Sequence, residues 1–427
     1  MADTKKLELR QVVKALAAVP AVVAFSNAML IPILPVIRRA LDISAFEASL
    51  LLTALSLPSG ILLPLGGYLS DRLGRRRVMI TGLLVFAAGG ALAALTGGLT
   101  APLPWLLLAR VLQGAGTAGT TFVAYAVAAD LLHDDDRARG LSFLEAVYST
   151  GKLIAPLAGS ALALLAWYAP FWIYVPLGIT AAAIVWRKVP ESHPPERRQQ
   201  SAAQYGQSLV KIWRIRGAEF IVLMAAGGAA MATWFGALVL LTEHLDALHV
   251  RGALRGALIS LPLLLFAVSA LGGTWTARRL GLALRLRAPA GFILAGLGSL
   301  ISLFFAPRTV QTLSAATLIP DGFALGPVLW TLAGAAVTGI GIGLALPALD
   351  TLVTGKIEEE ERGVVSGIYG MARSLGAAAG PPALVFLIGR IADTLVWSGL
   401  ITLALITAVL ISAAIKPGEQ EKTEAPR

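Results

Sequence analysis

Apolar stretches, each about long enough to cross a lipid bilayer as a helix, follow one another along almost the whole chain. A crossing helix needs about 20 apolar residues, and polar turns interrupt the sequence at about that interval. Only 14% of the residues are charged, whereas soluble domains average about 25%. We therefore predict an all-α membrane protein with twelve transmembrane helices, at 11–37, 47–69, 78–98, 104–132, 139–166, 168–187, 218–243, 255–277, 288–306, 325–353, 363–389 and 394–415.

The distribution of basic residues predicts the orientation of these spans. With both termini placed in the cytoplasm, 26 of the 35 Lys and Arg fall in cytoplasmic segments and six in the opposite loops. This bias follows the positive-inside rule, so the net charge of +10 reflects topology and not a nucleic-acid partner. We expect a monomer in the inner membrane of a bacterial cell, in contact with lipid.

Several chemistries find no support in the sequence. The chain has no cysteine, which excludes disulfides and thiolate ligands. It has no phosphate-binding glycine loop followed by Lys and Ser or Thr, and its four histidines fall in or beside loops. We predict no enzyme activity, no cofactor and no metal site.

Weak internal similarity divides the chain into two related halves. "GKLIAPLAG" at 151–159 recurs as "GAAAGPPAL" at 376–384, and a polar stretch separates the halves. We predict two pseudo-symmetric six-helix bundles at 1–186 and 218–416, a cytoplasmic linker at 187–217, with a short surface helix near 208–215, and a tail at 417–427. Such a repeat is typical of transporters that bind their substrate between the halves.

The loop between spans two and three, "GGYLSDRLGRRRV" at 66–78, concentrates charge in a short turn. Asp71 and its neighbouring arginines can bond the ends of adjacent helices, and Asp71 can accept N–H bonds at a helix N-terminus. Gly67 leaves room for another helix, and Gly74 permits the tight reversal. The loop could act as a charged clasp between conformations or simply establish topology.

This loop and two further stretches resemble motifs of the major facilitator superfamily, most closely those of its twelve-span drug:proton antiporters. "RVLQGAGTA" at 110–118 is similar to the span-four motif of proton-linked members. Gly151-x-x-x-Ala155-Pro156-x-x-Gly159 is similar to the span-five antiporter motif, with Ala155 in place of a glycine. The loop 2–3 motif is matched at all its defining positions, which include Gly67, Asp71, Arg72, Gly74, Arg75 and Arg76.

The resemblance implies the superfamily fold and alternating access. It assigns the loop 2–3 acid to neighbouring helix ends, including the inner end of span four at Asp130. It assigns the face of Gly151, Pro156 and Gly159 to packing against the other half, and the second half repeats this face as Gly376, Gly380 and Pro381.

Four ionisable residues lie clearly inside predicted spans, where charge is costly and therefore points to function. We expect Glu145 to be buried near apolar groups, where it could carry a proton. It could instead pair with Lys152 on the same helical face. The resemblance gives Arg110 a part in proton coupling, although the residue could instead bond span carbonyls. Lys152 lies near the membrane midplane, where it could bind substrate or a counter-ion, and Arg373 could bind substrate or lock an inner gate.

Three intramembrane cations against one acid predict an anionic substrate. Asn27 in span one and the aromatic residues Tyr125, Tyr148 and Trp234 are further candidates for its binding site, although packing explains the aromatic residues equally well.

We predict a secondary transporter, and specifically a proton-coupled exporter of small organic or amphipathic anions. The alternatives are an uptake symporter or facilitator for organic anions, and a lipid flippase.

Overall fold

The computed structural model of this chain describes residues 2–132, 134–192, 202–279, 283–305, 325–355, 359–388 and 393–414. Its regular structure in these ranges is helical throughout, which confirms the predicted all-α class. Sixteen α-helices are numbered here in chain order. Those before residue 193 are α1 Ala2–Leu16, α2 Ala18–Ala28, α3 Leu34–Leu41, α4 Ala45–Leu73, α5 Arg75–Leu95, α6 Pro102–Ala118, α7 Thr121–Leu131, α8 Asp134–Leu162, α9 Ala169–Trp172 and α10 Tyr174–Lys188. Those after residue 201 are α11 Ala202–Ala247, α12 Gly252–Arg279, α13 Leu284–Phe305, α14 Leu325–Thr354, α15 Glu359–Ile388 and α16 Asp393–Ala414.

Each of the twelve predicted spans coincides with helix over most of its described residues. Ten helical segments in the described ranges are long and apolar enough to cross a membrane. The two predicted spans outside this set are 104–132, which the turn at Gly119 and Thr120 divides into α6 and α7, and 139–166, which is α8. Helix α8 falls outside the set because polar groups, including Glu145 and Lys152, interrupt its apolar surface.

Span one is a chain of short helices and not a single rod. It runs through the end of α1, then α2, a 3-10 turn at Ile31–Ile33 and α3. Pro32 and Pro35 lie at the starts of the last two elements, where the missing proline N–H would have no helical partner in any case. The break leaves backbone carbonyls near residue 26 available to other groups.

Helix α11 differs most from prediction. The linker was expected at 187–217 with a short surface helix near 208–215, but the helical backbone begins at Ala202 and continues without interruption to Ala247. Residues 193–201 of the predicted linker, and the predicted tail at 417–427, lie outside the described residues.

The chain divides into two compact units, Met1–Ala202 and Ala203–Arg427. In the first unit, α5 and α4 pack on α6, α10 packs on α5, and α2 packs on α8. In the second, α13 and α12 pack on α14, and α16 packs on α13. An apolar cluster packs α11, α15 and α16 together in the second unit. It consists of Leu240, Leu384, Val396, Trp397 and Leu400.

Candidate functional site

Arg110 is enclosed in the first unit and holds its helices together. The side chain is fully buried. Its guanidinium donates to the backbone oxygens of Leu51 and Ser26 at 3.2 and 3.1 Å. It also donates to Asn27 Oδ1 at 2.6 Å and to Gln113 Oε1 at 2.8 Å. Arg110 on α6 thus joins α2 and α4, and its charge is satisfied by neutral oxygens.

The same network accounts for Asn27, which was predicted to bind substrate. Its amide Nδ2 donates to Ser56 Oγ at 2.8 Å, and the residue is 6% exposed. The Tyr174 hydroxyl on α10 donates to Ser26 O at 2.9 Å. Together with Arg110 it satisfies a carbonyl at the break in span one, where an unpaired buried carbonyl would be costly. The structure therefore favours carbonyl bonding for Arg110 and places Asn27 inside the same network.

A polar face of α7 and α8 brings together four predicted site residues. The Tyr125 hydroxyl donates to Glu145 Oε2 at 2.9 Å. The Lys152 ammonium lies 4.0 Å from the centroid of the Tyr148 ring, which is a cation–π contact. Glu145 is exposed, not buried among apolar groups as expected, and the other three are half-buried.

Glu145 and Lys152 do not form the ion pair that was the alternative prediction. Among the residues that the structure describes, no carboxylate lies within the 4.0 Å limit of an ion pair to Lys152. The two residues are seven positions apart on a continuous helix, or about 10 Å along its axis. This set, Tyr125, Glu145, Tyr148 and Lys152, is called the α8 polar face below.

Arg373 in the second unit is paired with an acid that was not assigned to it. Its Nη1 lies 3.2 Å from Asp350 Oδ1, and its guanidinium carbon lies 5.6 Å from the centroid of the Tyr369 ring. The side chains of Arg373 and Asp350 are 32% and 49% exposed. Its positive charge is therefore largely balanced, which weakens the expectation that three free cations line one site.

Trp234, which was a candidate for the substrate-binding site, is packed inside the second unit. It is 3% exposed and stacks on Phe266, with 5.0 Å between ring centroids and 13° between ring planes. A Cβ added at Gly339 would lie 3.0 Å from its indole. The structure gives Trp234 a packing role.

The loop 2–3 motif ties α5 to α7 through Arg75. Its guanidinium forms an ion pair with Asp130 in the last turn of α7. Asp71, expected to reach a neighbouring helix end, is 55% exposed, and its described ion-pair contact is Arg75 Nη2 at 3.8 Å. Within this unit Arg75 makes the contact between helices that was expected of Asp71. The guanidinium of Arg72 lies 4.7 Å from the Tyr68 ring centroid.

Glu191, which no motif had marked, caps α5. Its Oε1 accepts from Arg75 N at 2.7 Å, and its Oε2 accepts from Arg76 N at 3.2 Å. These bonds occupy the place at a helix N-terminus that was expected for Asp71. Ser192 Oγ donates to Asp130 Oδ2 at 3.2 Å. We call Arg75, Asp130, Glu191 and Ser192 the α5–α7 clasp.

The close helix approach expected at Gly67 occurs at Gly66. A Cβ added at Gly67 would meet no described atom within 4 Å, whereas one at Gly66 would lie 2.5 Å from Ala118 O. Gly74 has φ +96°, which supports its predicted role in the reversal. A Cβ there would lie 2.6 Å from Glu191 Oε2.

The predicted small-residue groove of α8 packs on α2. A Cβ at Gly151 would lie 2.7 Å from Ala24 Cβ, and one at Gly159 would lie 2.3 Å from Met29 O. Pro156 is buried between these glycines. The groove therefore has a partner inside its own unit, although the resemblance had assigned it to the other half.

The second-half copy of the motif packs in the same way on α11. Added Cβ atoms at Gly376 and Gly380 would lie 1.9 Å from Gly228 O and 2.4 Å from Ala232 O, and Pro381 is buried beside them. The motif thus packs on α2 in the first unit and on α11 in the second.

Sequence reasoning missed three polar partners. Glu191 comes from the segment after α10 and Tyr174 from α10 itself, whereas Gln113 lies one turn from Arg110 on the same helix. Gln113 lies in the span-four motif, but no role was predicted for it. For Glu191, the sequence offered only the preceding Pro190, which is typical of a helix end.

Comparison with known proteins gives consistent results. The profile of the Major Facilitator Superfamily matches residues 16–381. The bacillibactin exporter of Bacillus subtilis (strain 168) is 31% identical over 417 residues, covering 96% of this chain and 98% of that protein. The class C tetracycline resistance protein of Escherichia coli is 26% identical over 384 residues, covering 87% and 88%. The crystal structure of the human organic anion transporter MFSD10 (TETRAN) has a TM-score of 0.68 and 19% identity, covering 94% and 99%, and shows likeness of fold.

Proposed function

We propose that this chain, which belongs to the major facilitator superfamily, is a proton-coupled antiporter that exports small organic or amphipathic anions from bacterial cells. The family consists of membrane transporters and not enzymes, and the relatives named above include an exporter and a resistance protein. We further propose that the protein is a monomer in the bacterial inner membrane. Its charge distribution favours an orientation with both termini in the cytoplasm. Bacillibactin is the first substrate to test.

The environment of Lys152 is the main support for the proposed preference for anions. Arg110 is enclosed by neutral oxygens and Arg373 is balanced by Asp350, so neither offers an uncommitted charge. Lys152 rests on an aromatic ring and has no described carboxylate within ion-pair distance. A cation kept within a span at considerable cost needs a compensating partner. An anionic group of the substrate can supply that partner.

Glu145 supports the proton coupling. Its carboxylate is exposed and hydrogen-bonded to a single tyrosine hydroxyl, so it can gain and lose a proton without breaking an ion pair. A carboxyl group that exchanges its proton on alternate sides of the membrane can link transport to the proton gradient.

Electrostatics favours one other function, proton–anion symport. A proton on Glu145 removes a negative charge about 10 Å from Lys152 along α8, which strengthens anion binding there. A proton and an anion would then travel together. The exporter relatives favour antiport, and the direction of coupling distinguishes the two functions.

The decisive experiment uses purified protein in liposomes loaded with bacillibactin. An acidic exterior should accelerate efflux if protons enter as the solute leaves, and the Glu145→Gln variant should abolish the acceleration. Asp42→Asn is the matched control because Asp42 is an exposed acid with φ 51°, a conformation that asparagine tolerates.

Each outcome has a distinct reading. Acceleration by an alkaline exterior would support symport. An efflux rate that does not depend on the pH gradient would support a facilitator. Movement of labelled lipid without movement of solute would support a flippase. If an acidic exterior accelerates efflux as strongly in the Glu145→Gln variant as in the parent protein, Glu145 takes no part in proton coupling.

A further inference from the structure

Helices α5 and α10 pack side by side on the surface of the first unit. At one end of this seam, the Arg76 guanidinium in the first turn of α5 donates to the backbone oxygen of Trp186 in the last turn of α10. Further along, a Cβ added at Gly178 of α10 would lie 2.9 Å from Ala87 Cβ of α5. The two helices are therefore antiparallel, and they approach closely at Gly178.

Each helix carries an exposed apolar stripe. On α10, Trp172, Ile179 and Trp186 are exposed and follow one another at intervals of seven residues. On α5, Leu84 and Ala88 are exposed. Residues seven apart, or four apart, share one helical face. Because both helices are long and apolar enough to cross a membrane, these stripes are surfaces for acyl chains.

The two stripes lie on the same side of the seam. Ala88 follows Ala87, and Ile179 follows Gly178, so each exposed residue comes directly after a residue at the close approach. One residue corresponds to a rotation of 100° about the helix axis. In an antiparallel pair, this equal rotation brings both exposed residues to the same side. Together they form one continuous apolar surface.

A basic residue lies at the end of each stripe. Arg77 comes seven residues before Leu84 on α5, and Arg187 directly follows Trp186 on α10. Both arginine side chains are exposed. Since Arg76 bonds Trp186 O, each of these arginines is one residue away from the hydrogen bond that joins the two helix ends.

Neither arginine has a counter-ion in the part of the chain that the structure describes. No described carboxylate lies within the 4.0 Å limit of an ion pair to Arg77 or Arg187. The acid in the segment after α10, Glu191, already accepts the backbone N–H groups of Arg75 and Arg76. Two arginines and an exposed tryptophan therefore adjoin one apolar surface.

We propose that this end of the seam binds an anionic phospholipid. Arg77 and Arg187 hold its phosphate, since guanidinium groups bind phosphate oxygens through charged hydrogen bonds. The Trp186 indole lies at the level of the headgroup, and the acyl chains follow Leu84 and Ile179. A soluble anion would use the cations alone, whereas a lipid also covers the apolar surface. Assignment to the cytoplasmic leaflet rests on the orientation proposed above, but binding depends on neither that orientation nor the substrate.

The test is native mass spectrometry of the purified protein, with phosphatidylglycerol or phosphatidylcholine added to the detergent solution. The parent protein should bind phosphatidylglycerol in preference to phosphatidylcholine. Arg77→Gln and Arg187→Gln should each weaken phosphatidylglycerol binding about fivefold, since one basic residue beside anionic lipid contributes about that factor. The double variant should lose at least about tenfold, while its binding of phosphatidylcholine stays unchanged.

Lys188→Gln is the matched control. Lys188 is exposed in the same turn as Arg187, but it lies two residues after Trp186 and therefore about 200° around the helix from it. Its replacement should change phosphatidylglycerol binding by less than about twofold. Melting temperatures of all variants should match that of the parent protein, because the substituted side chains are exposed.

Three results would overturn the proposal. The first is equal binding of the two lipids by the parent protein, and the second is a loss in Lys188→Gln as large as in Arg77→Gln. The third is displacement of phosphatidylglycerol by an equal concentration of glycerol 3-phosphate, which would indicate a site for soluble phosphates.

Discussion

The ammonium of Lys152 lies over the ring of Tyr148, 4.0 Å from its centroid, one turn along α8 from it. This contact holds the cation without neutralising it, because an aromatic face offers partial negative charge and no carboxylate. A substrate anion can therefore bind Lys152 without first displacing an acid. The proposed binding residue lies on α8 and the ion pair of the α5–α7 clasp joins α5 and α7, so the two can be tested separately.

Replacement of Lys152 by Met should weaken binding of an anionic substrate by about tenfold or more, since exchange of an ion pair within a low-dielectric site for an apolar contact costs at least about 1.4 kcal/mol. Lys152→Arg keeps the charge and should retain most of the affinity. Equilibrium binding of bacillibactin to the purified proteins measures both. Equal affinity in Lys152→Met and the parent protein would assign the lysine to structure.

Arg110→Leu should destabilise the protein by at least about 3 kcal/mol, because several hydrogen bonds from a charged donor are lost and buried oxygens are left without partners. Arg110→Lys should be intermediate, since a single ammonium cannot reach all four acceptors. The melting temperatures of the parent protein and the two variants in detergent rank their stabilities. If Arg110→Leu melts at the parent temperature while transport is lost, a role in proton movement would replace the structural one.

Arg75 and Asp130 should show energetic coupling in a double-mutant cycle. Arg75→Ala and Asp130→Ala each break the same ion pair, so the double variant should lose less stability than the sum, by about 0.5–3 kcal/mol. Arg77→Ala with Asp130→Ala is the control cycle, because Arg77 is exposed on the same helix turn. Comparable non-additivity in both cycles would mean that the effect is not specific to the clasp.

Gly66→Ala and Gly67→Ala form a matched pair for the helix approach between α4 and α6. The first places a Cβ 2.5 Å from Ala118 O and should cost about 1–3 kcal/mol. The second enters open space and should change stability by less than about 0.5 kcal/mol. Melting temperatures of the two variants compare them directly, and an equal loss at both positions would contradict the assigned packing.

The positions of the spans were predictable because the bilayer imposes one length and one polarity on every crossing segment. The ends of α4, α5 and α12 lie within a few residues of their predicted limits. The break between α6 and α7 and the continuous helix through residues 202–217 depend on local backbone conformation, which hydropathy does not report.

The partners of the site residues were less predictable. Asp130 was expected beside the loop 2–3 motif, but through Asp71 and not Arg75. The cap from Glu191 depends on where α10 delivers the chain. The ion pair of Arg373 with Asp350 was not predicted. Each of these contacts joins residues at least 23 positions apart, so a local pattern cannot specify them.

Helix α11 has a practical consequence for imaging the protein. Its membrane-crossing part begins at Gly217, so the residues from Ala202 onward extend the same rod by about 22 Å. A soluble helical protein fused in register to that extension would inherit its direction. Such a rigid fiducial would give a protein of 44.4 kDa the mass and shape needed to align particles in cryo-electron microscopy.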